Sequence, residues 1–209
     1  ARAAHRSAGA PGGRAAREAD ADQGRGPSPN SARGEGSNSS ARPAAGRGHR
    51  FACVDYSQGK AFIVSAAGKV EWECEAPHSD DLWVLPNGNL LFNTGHGVQE
   101  VSREKRVLFD YQSQSEIYAC QRLANGNTFI GECNSGRLLE LTANGRTVKE
   151  IRLLPEGADG GHVYLRNSRQ LANGNYLVTH YGDQVVREYD ANGKIVRNIP
   201  AAGGPHSAV

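Results

Sequence analysis

Residues 1–50 contain no Val, Ile, Leu, Phe, Trp, Tyr, Met or Cys. They are built almost wholly from Ala, Gly, Arg, Ser and Pro. No hydrophobic core can form from that set, so the segment cannot offset its ordering entropy and is predicted to be disordered. The chain also lacks any apolar run approaching ~18–20 residues, which excludes a membrane-spanning helix. The N-terminal stretch has no apolar h-region, so no signal peptide is expected within this sequence. An excess of charge of one sign is missing as well. With 24 basic and 22 acidic residues the formal net charge is +2, too balanced to imply a specific nucleic-acid partner. Nine arginines stand against four acids in residues 1–50, but no aromatic is interleaved with them, and the plain reading of this tail is a linker.

Of the four cysteines, Cys53, Cys74, Cys120 and Cys133, none forms a CxxC pair, so a zinc ribbon is not expected. No P-loop, nucleophile elbow or HExxH occurs. No metal and no cofactor is therefore assigned.

All the apolar bulk lies in residues 51–209, about one domain's worth. Three stretches within it align: Leu85-Pro-Asn-Gly-Asn, Leu123-Ala-Asn-Gly-Asn and Leu171-Ala-Asn-Gly-Asn, each flanked by alternating apolar residues. The pattern predicts β-hairpins with two-residue type I′ turns. A second hairpin follows each of them, and residues 51–75 supply the last three strands of the same unit once more. Four antiparallel strands every ~40–50 residues is the period of a β-propeller.

The expected fold is thus all-β: an incomplete propeller of about 3.75 four-stranded blades. Its blades are 51–75 (partial), 78–111, 116–151 and 163–199, with the start of another at 205–209. Read this way, the chain is expected to be a piece of a larger propeller.

In such a blade the first strand lines the central channel, and the Asn-Gly turns lie at the opposite rim from its start. Five of the seven histidines fall near the rim that the turns do not occupy. A two-residue hairpin also fixes parity. It sets Thr94, Glu132 and His180, each seven residues after its turn Asn, on one face opposite Asp81, Ala119 and Asn167. These positions, with His78, His96, Cys133 and His162, form the candidate binding set. Three readings stand side by side: a metal site, a catalytic site, and polar capping of strand ends. The candidate partner is a small ligand or a protein at this rim.

The blade pattern of Leu-Pro/Ala-Asn-Gly-Asn, a short strand, Glu-Val/Leu/Tyr, Asn-Gly-Lys/Arg and a Val-rich strand resembles the bacterial PQQ-like or arylsulfotransferase-like β-propeller proteins. The resemblance covers 51–209. It implies a secreted or periplasmic location and a binding scaffold without enzymatic activity. The alternative it implies is sulfuryl transfer through a channel histidine. Quinone chemistry is not expected, since Trp72 and Trp83 are the only tryptophans and no two cysteines are adjacent. A fold resemblance does not fix activity.

Overall fold

A computed structural model of the chain describes residues 48–208. The tail expectation therefore lies, save for residues 48–50, outside the described residues. Fifteen strands and no helix are present among them. They form one three-stranded and three four-stranded antiparallel sheets.

Blade 1 holds β1 (Phe51–Asp55), β2 (Lys60–Val64) and β3 (Val70–Glu75). Blade 2 holds β4 (Leu82–Val84), β5 (Leu90–Asn93), β6 (Gly97–Val101) and β7 (Val107–Gln112). Blade 3 holds β8 (Ile117–Arg122), β9 (Thr128–Glu132), β10 (Arg137–Leu141) and β11 (Thr147–Arg152). Blade 4 holds β12 (Ser168–Gln170), β13 (Tyr176–His180), β14 (Val185–Tyr189) and β15 (Ile195–Pro200). Strand order follows the chain within every blade, the up-and-down order that the repeat predicts. No helix among the described residues is long and apolar enough to cross a membrane.

The core lies between blades. Leu90 and Phe92 pack towards blade 1 with Ile63, while Leu91 packs towards blade 3 with Ile117 and Ile130. Phe129 and Leu138 of blade 3 meet Tyr176 and Val178 of blade 4. A strand covered on both faces has no polar side, which is why β5 and β9 are buried at every position.

The Asn-Gly loops differ from the type I′ expectation. Gly88, Gly126 and Gly174 have φ of +83°, +85° and +84°, but the asparagines before them do not adopt positive φ. Gly88 N donates to Leu85 O at 2.8 Å, and Leu85 N donates to Asn89 O at 2.9 Å. This is a three-residue loop, a type I turn closed by a left-handed glycine. The second Asn of each motif explains the motif's conservation of form within the chain. Asn89, Asn127 and Asn175 donate through Nδ2 to Glu100, Glu140 and Glu188 at 2.6, 2.7 and 2.7 Å, tying each loop to the third strand of its blade.

Nothing lies within 4 Å of a Cβ built on Gly126, so its requirement is conformational and not steric. Gly126→Ala is expected to destabilise by about 1 kcal/mol, read by urea unfolding. An unchanged midpoint would contradict the loop assignment.

The extra loop residue moves the register by one. Trp83 pairs with Leu91 and Phe92 with Leu82, where a two-residue turn would have set Trp83 directly opposite Phe92. Asn93 N donates to Asp81 O, and Thr179 N to Asn167 O. Asp81 and Asn167 are therefore not opposite Thr94 and His180. In blade 3 Ala119 pairs with Gly131, and a bulge at Tyr118 sets Ile117 opposite Glu132. Because a one-residue slip exchanges faces, the six positions do not share one face.

Candidate functional site

The slip separates the candidates into two groups. Glu132 and His180 are fully buried, and both are held by hydrogen bonds within the fold. Glu132 accepts from Ser113 Oγ at 2.6 Å, Ser135 Oγ at 2.7 Å, Arg137 Nε at 2.7 Å and Tyr111 Oη at 3.0 Å. Burial raises its pKa, and the bonds from Ser113, Ser135 and Arg137 together outweigh burial and hold it below the ordinary value. His180 lies between Tyr164 O, 3.0 Å from Nδ1, and Tyr189 Oη, 2.8 Å from Nε2. Thr94 is half-buried in the turn that links β5 to β6. Cys133 is buried with its thiol donating to the backbone oxygens of His162 and Gly161 at 3.3 and 3.5 Å. All four cysteines are free.

Burial pushes the His180 pKa down to about 4. A depressed histidine contributes stability above its unfolded value of about 6.5, and that contribution is lost as pH falls towards 4. We expect roughly 3 kcal/mol of acid destabilisation from this group. Urea unfolding at pH 7 and pH 4.5 reads it, and a His180→Gln variant should show a smaller drop. An equal drop in both proteins would refute the assignment.

The second group meets at one rim. A cavity of about 390 Å3 is lined by Asp80, Asp81, Tyr118, His162, Arg166 and Asn167, with Tyr56, Arg169, His206 and Ser207 completing the wall. A second cavity of about 270 Å3 shares Tyr56, Asp80, Tyr118 and His162, and adds His78, Gly95, His96 and Glu116. Of the sequence candidates, Asp81, Asn167, His78, His96 and His162 thus line these cavities.

The register explains the assembly. Asp80, Tyr118 and Arg166 each stand five residues before the leucine that opens the Asn-Gly loop, so three blades present one equivalent position to the channel mouth. Tyr118 sits on the bulge of β8, a device that re-aims a side chain. The connection at 153–161 delivers His162. His78 holds φ of +53°, a conformation uncommon outside glycine, with its Nδ1 3.3 Å from Tyr56 Oη.

His162 Nδ1–H donates to Glu116 Oε2 at 2.8 Å. The Tyr118 hydroxyl lies 3.1 Å from the same nitrogen. Burial, opposed by Arg166 and aided by Glu116, pushes Tyr118 up to about 12, so its hydroxyl keeps its proton at neutral pH. Asp80 is raised by burial against the pull of Arg166 and His206.

Deeper in the channel, Arg169 grips Asp81 with two bonds of 2.7 and 2.9 Å, and Cys120 N donates to Asp81 Oδ2 at 2.9 Å. Arg169 was not among the sequence candidates. A charged residue at the position held by Trp83 and Gln121 in the other blades was the available signal. At the blade 4 end, the His206 carbonyl accepts from Asn167 N at 3.3 Å and from Thr179 Oγ1 at 3.4 Å. Asn93 Nδ2 bonds Ile117 O at the corresponding place between blades 2 and 3. No strand is formed at 205–208. Among the described residues no group of three or more His, Cys, Asp or Glu is placed to hold a metal ion.

No protein-family model matches the sequence, and no curated protein matches it. Solved structures do. A protein of unknown function from Bacteroides caccae superposes with a TM-score of 0.66 at 21% identity, over 74% of this chain and 58% of that one. Virginiamycin B lyase from Staphylococcus aureus gives 0.55 at 16% identity, over 75% and 54%. BamB from Moraxella catarrhalis gives 0.52 at 14%, over 73% and 46%. The chain folds as a β-propeller. It spans little more than half the length of the first of these proteins, and at such identities the likeness concerns the fold alone.

Proposed function

We propose that this propeller is a binding scaffold that takes a small molecule in the cavity at its channel mouth. The observation that carries the reading is Arg166: 8% exposed, facing the cavity, and without a carboxylate partner among the described residues. Charges in nearly buried side chains are ordinarily held in close ion pairs, so an arginine at a cavity wall with no ion pair within 4 Å, acted on only at longer range by Asp80, favours a ligand there. A volume near 390 Å3 falls within the range of small-molecule sites.

Ligand-observed NMR with a mixed set of fragment acids, amines and neutral aromatics tests this. Binders should compete with one another and shift the backbone amides of Tyr118 and Arg166. Fragments that bind only elsewhere, or none that bind, would overturn the reading.

The Glu116–His162 pair favours a second reading, enzymatic and of the arylsulfotransferase type. With Nδ1 engaged by Glu116, Nε2 has no hydrogen-bond partner among the described residues and is available to a substrate. Turnover of 4-nitrophenyl sulfate that is lost in His162→Gln would support it, and absence of turnover would remove it.

A further inference from the structure

Three polar atoms of the cavity wall are buried and bonded to nothing among the described residues: Arg166 Nε, Asn167 Oδ1 and Arg169 Nε. Their residues are 8%, 6% and 9% exposed. Buried polar atoms are almost always satisfied, and these three belong to residues that line the cavity. They come from a four-residue stretch that enters β12.

Their chemistry is specific. The terminal nitrogens of Arg169 are engaged by Asp81, whereas the Arg166 guanidinium makes no ion pair within 4 Å among the described residues; the groups on the cavity that its charge acts on are the Tyr118 hydroxyl and the Asp80 carboxylate. The guanidinium lies over the Tyr118 ring at 4.3 Å and near the Tyr181 ring at 5.4 Å. Ring faces offset part of the charge, but a ring face cannot accept the paired in-plane bonds that a guanidinium fork offers. A carboxylate can, in bidentate geometry. Asn167 Oδ1, on a residue that lines the cavity, is an acceptor left without a donor. Tyr56, Tyr118, His162 and His206 line that cavity with aromatic rings. Asp80 lines the same cavity and acts against a second negative charge, which disfavours a phosphate dianion.

We propose that the cavity binds a planar monocarboxylic acid, with its carboxylate on Arg166, its ring against the tyrosine and histidine rings, and a donor group towards Asn167. This deepens the ligand-binding reading above and rests on it.

The test uses 4-hydroxybenzoate as probe, with 4-hydroxybenzamide, phenyl phosphate and acetate as comparisons, on the full chain at neutral pH by titration NMR. We expect 4-hydroxybenzoate to bind about 10- to 100-fold more tightly than the neutral amide, as a charge-assisted pair implies. Phenyl phosphate and acetate should each bind more weakly than 4-hydroxybenzoate.

Arg166→Gln should abolish the preference for acid over amide. Tyr118→Leu should weaken acid and amide alike. Equal binding of acid and amide by the parent protein overturns the carboxylate assignment, as does an Arg166→Gln variant that keeps the preference. If the mixed fragment set binds at Tyr118 and Arg166 while 4-hydroxybenzoate does not, this inference fails and the binding-scaffold reading stands.

Discussion

Glu132→Ala is expected to lower the stability of the folded chain by about 2–4 kcal/mol, because three buried or half-buried hydroxyls lose their acceptor while Arg137, 29% exposed, keeps solvent and Glu150. The carboxylate is inaccessible to solvent and holds four side chains in place, from the end of β7 (Tyr111), the loop after it (Ser113), the turn behind β9 (Ser135) and the start of β10 (Arg137). Truncation leaves Arg137 with solvent and the more distant Glu150, 3.5 Å away, and leaves three hydroxyls facing a void. Glu132→Gln keeps the volume and should lose less, because the amide still accepts through its oxygen. The pH dependence has a definite sign. The folded-state pKa lies below the ordinary value of 4.5, so the group's contribution is present above that value and is lost as pH falls through the folded pKa. Guanidinium unfolding at pH 7 and pH 3.5 should therefore show the parent and Glu132→Ala converging in acid. A midpoint in Glu132→Ala within experimental error of the parent would return Glu132 to the list of ligand-binding residues.

How much of this was legible in the residues follows from where the information lies. Period and strand type are local. Leu-Ala-Asn-Gly-Asn recurs because each loop needs a left-handed glycine and an Asn that reaches the Glu of the third strand, so blade boundaries could be read by alignment alone. Face is not local. It depends on whether Asn-Gly closes as a two- or a three-residue loop, and both loops accept that dipeptide. Leucine at the first loop position and a second Asn after the glycine belong to the three-residue form here. Without that distinction the equal-offset argument picked Thr94, Glu132 and His180, whereas the cavity is lined by Asp80, Tyr118 and Arg166. The rim itself was legible, because His78, His96 and His162 fall there whichever parity is used. The Asp81–Arg169 bond was not, since 88 residues separate the partners and only the curvature of successive blades brings them together.

That bond is the second large expectation. Substantial strand packing between blades occurs only between neighbours: β1 with β4, β4, β5 and β6 with β8, and β8 and β9 with β12. In such a quasi-linear array each blade is stabilised by the next one alone. Asp81 in blade 2 and Arg169 in blade 4 bypass this rule, and the bond to Cys120 N ties blade 3 into the same carboxylate. Both side chains are nearly inaccessible, and Arg169 also lies over the Trp83 ring at 5.1 Å. Asp81→Ala should cost about 3–5 kcal/mol, because Arg169 is left buried with no counter-charge. Arg169→Met should cost a comparable amount by stranding Asp81. The pair Asp81→Val with Arg169→Met should recover most of the loss, since apolar replacement of a buried ion pair is often close to neutral. A cycle built from Asp81→Val, Arg169→Met and the two together should then return a coupling beyond the ~3 kcal/mol upper range usual for residues in contact, because the summed single costs exceed that of the pair by more than this. Hydrogen exchange separates a link between blades from a merely local bond. If the pair joins blades 2 and 4, β12 and β13 should exchange faster in Asp81→Ala while β9 and β10 keep their protection. Uniform acceleration across all blades, or additive single-variant costs, would show that the ion pair does not couple them.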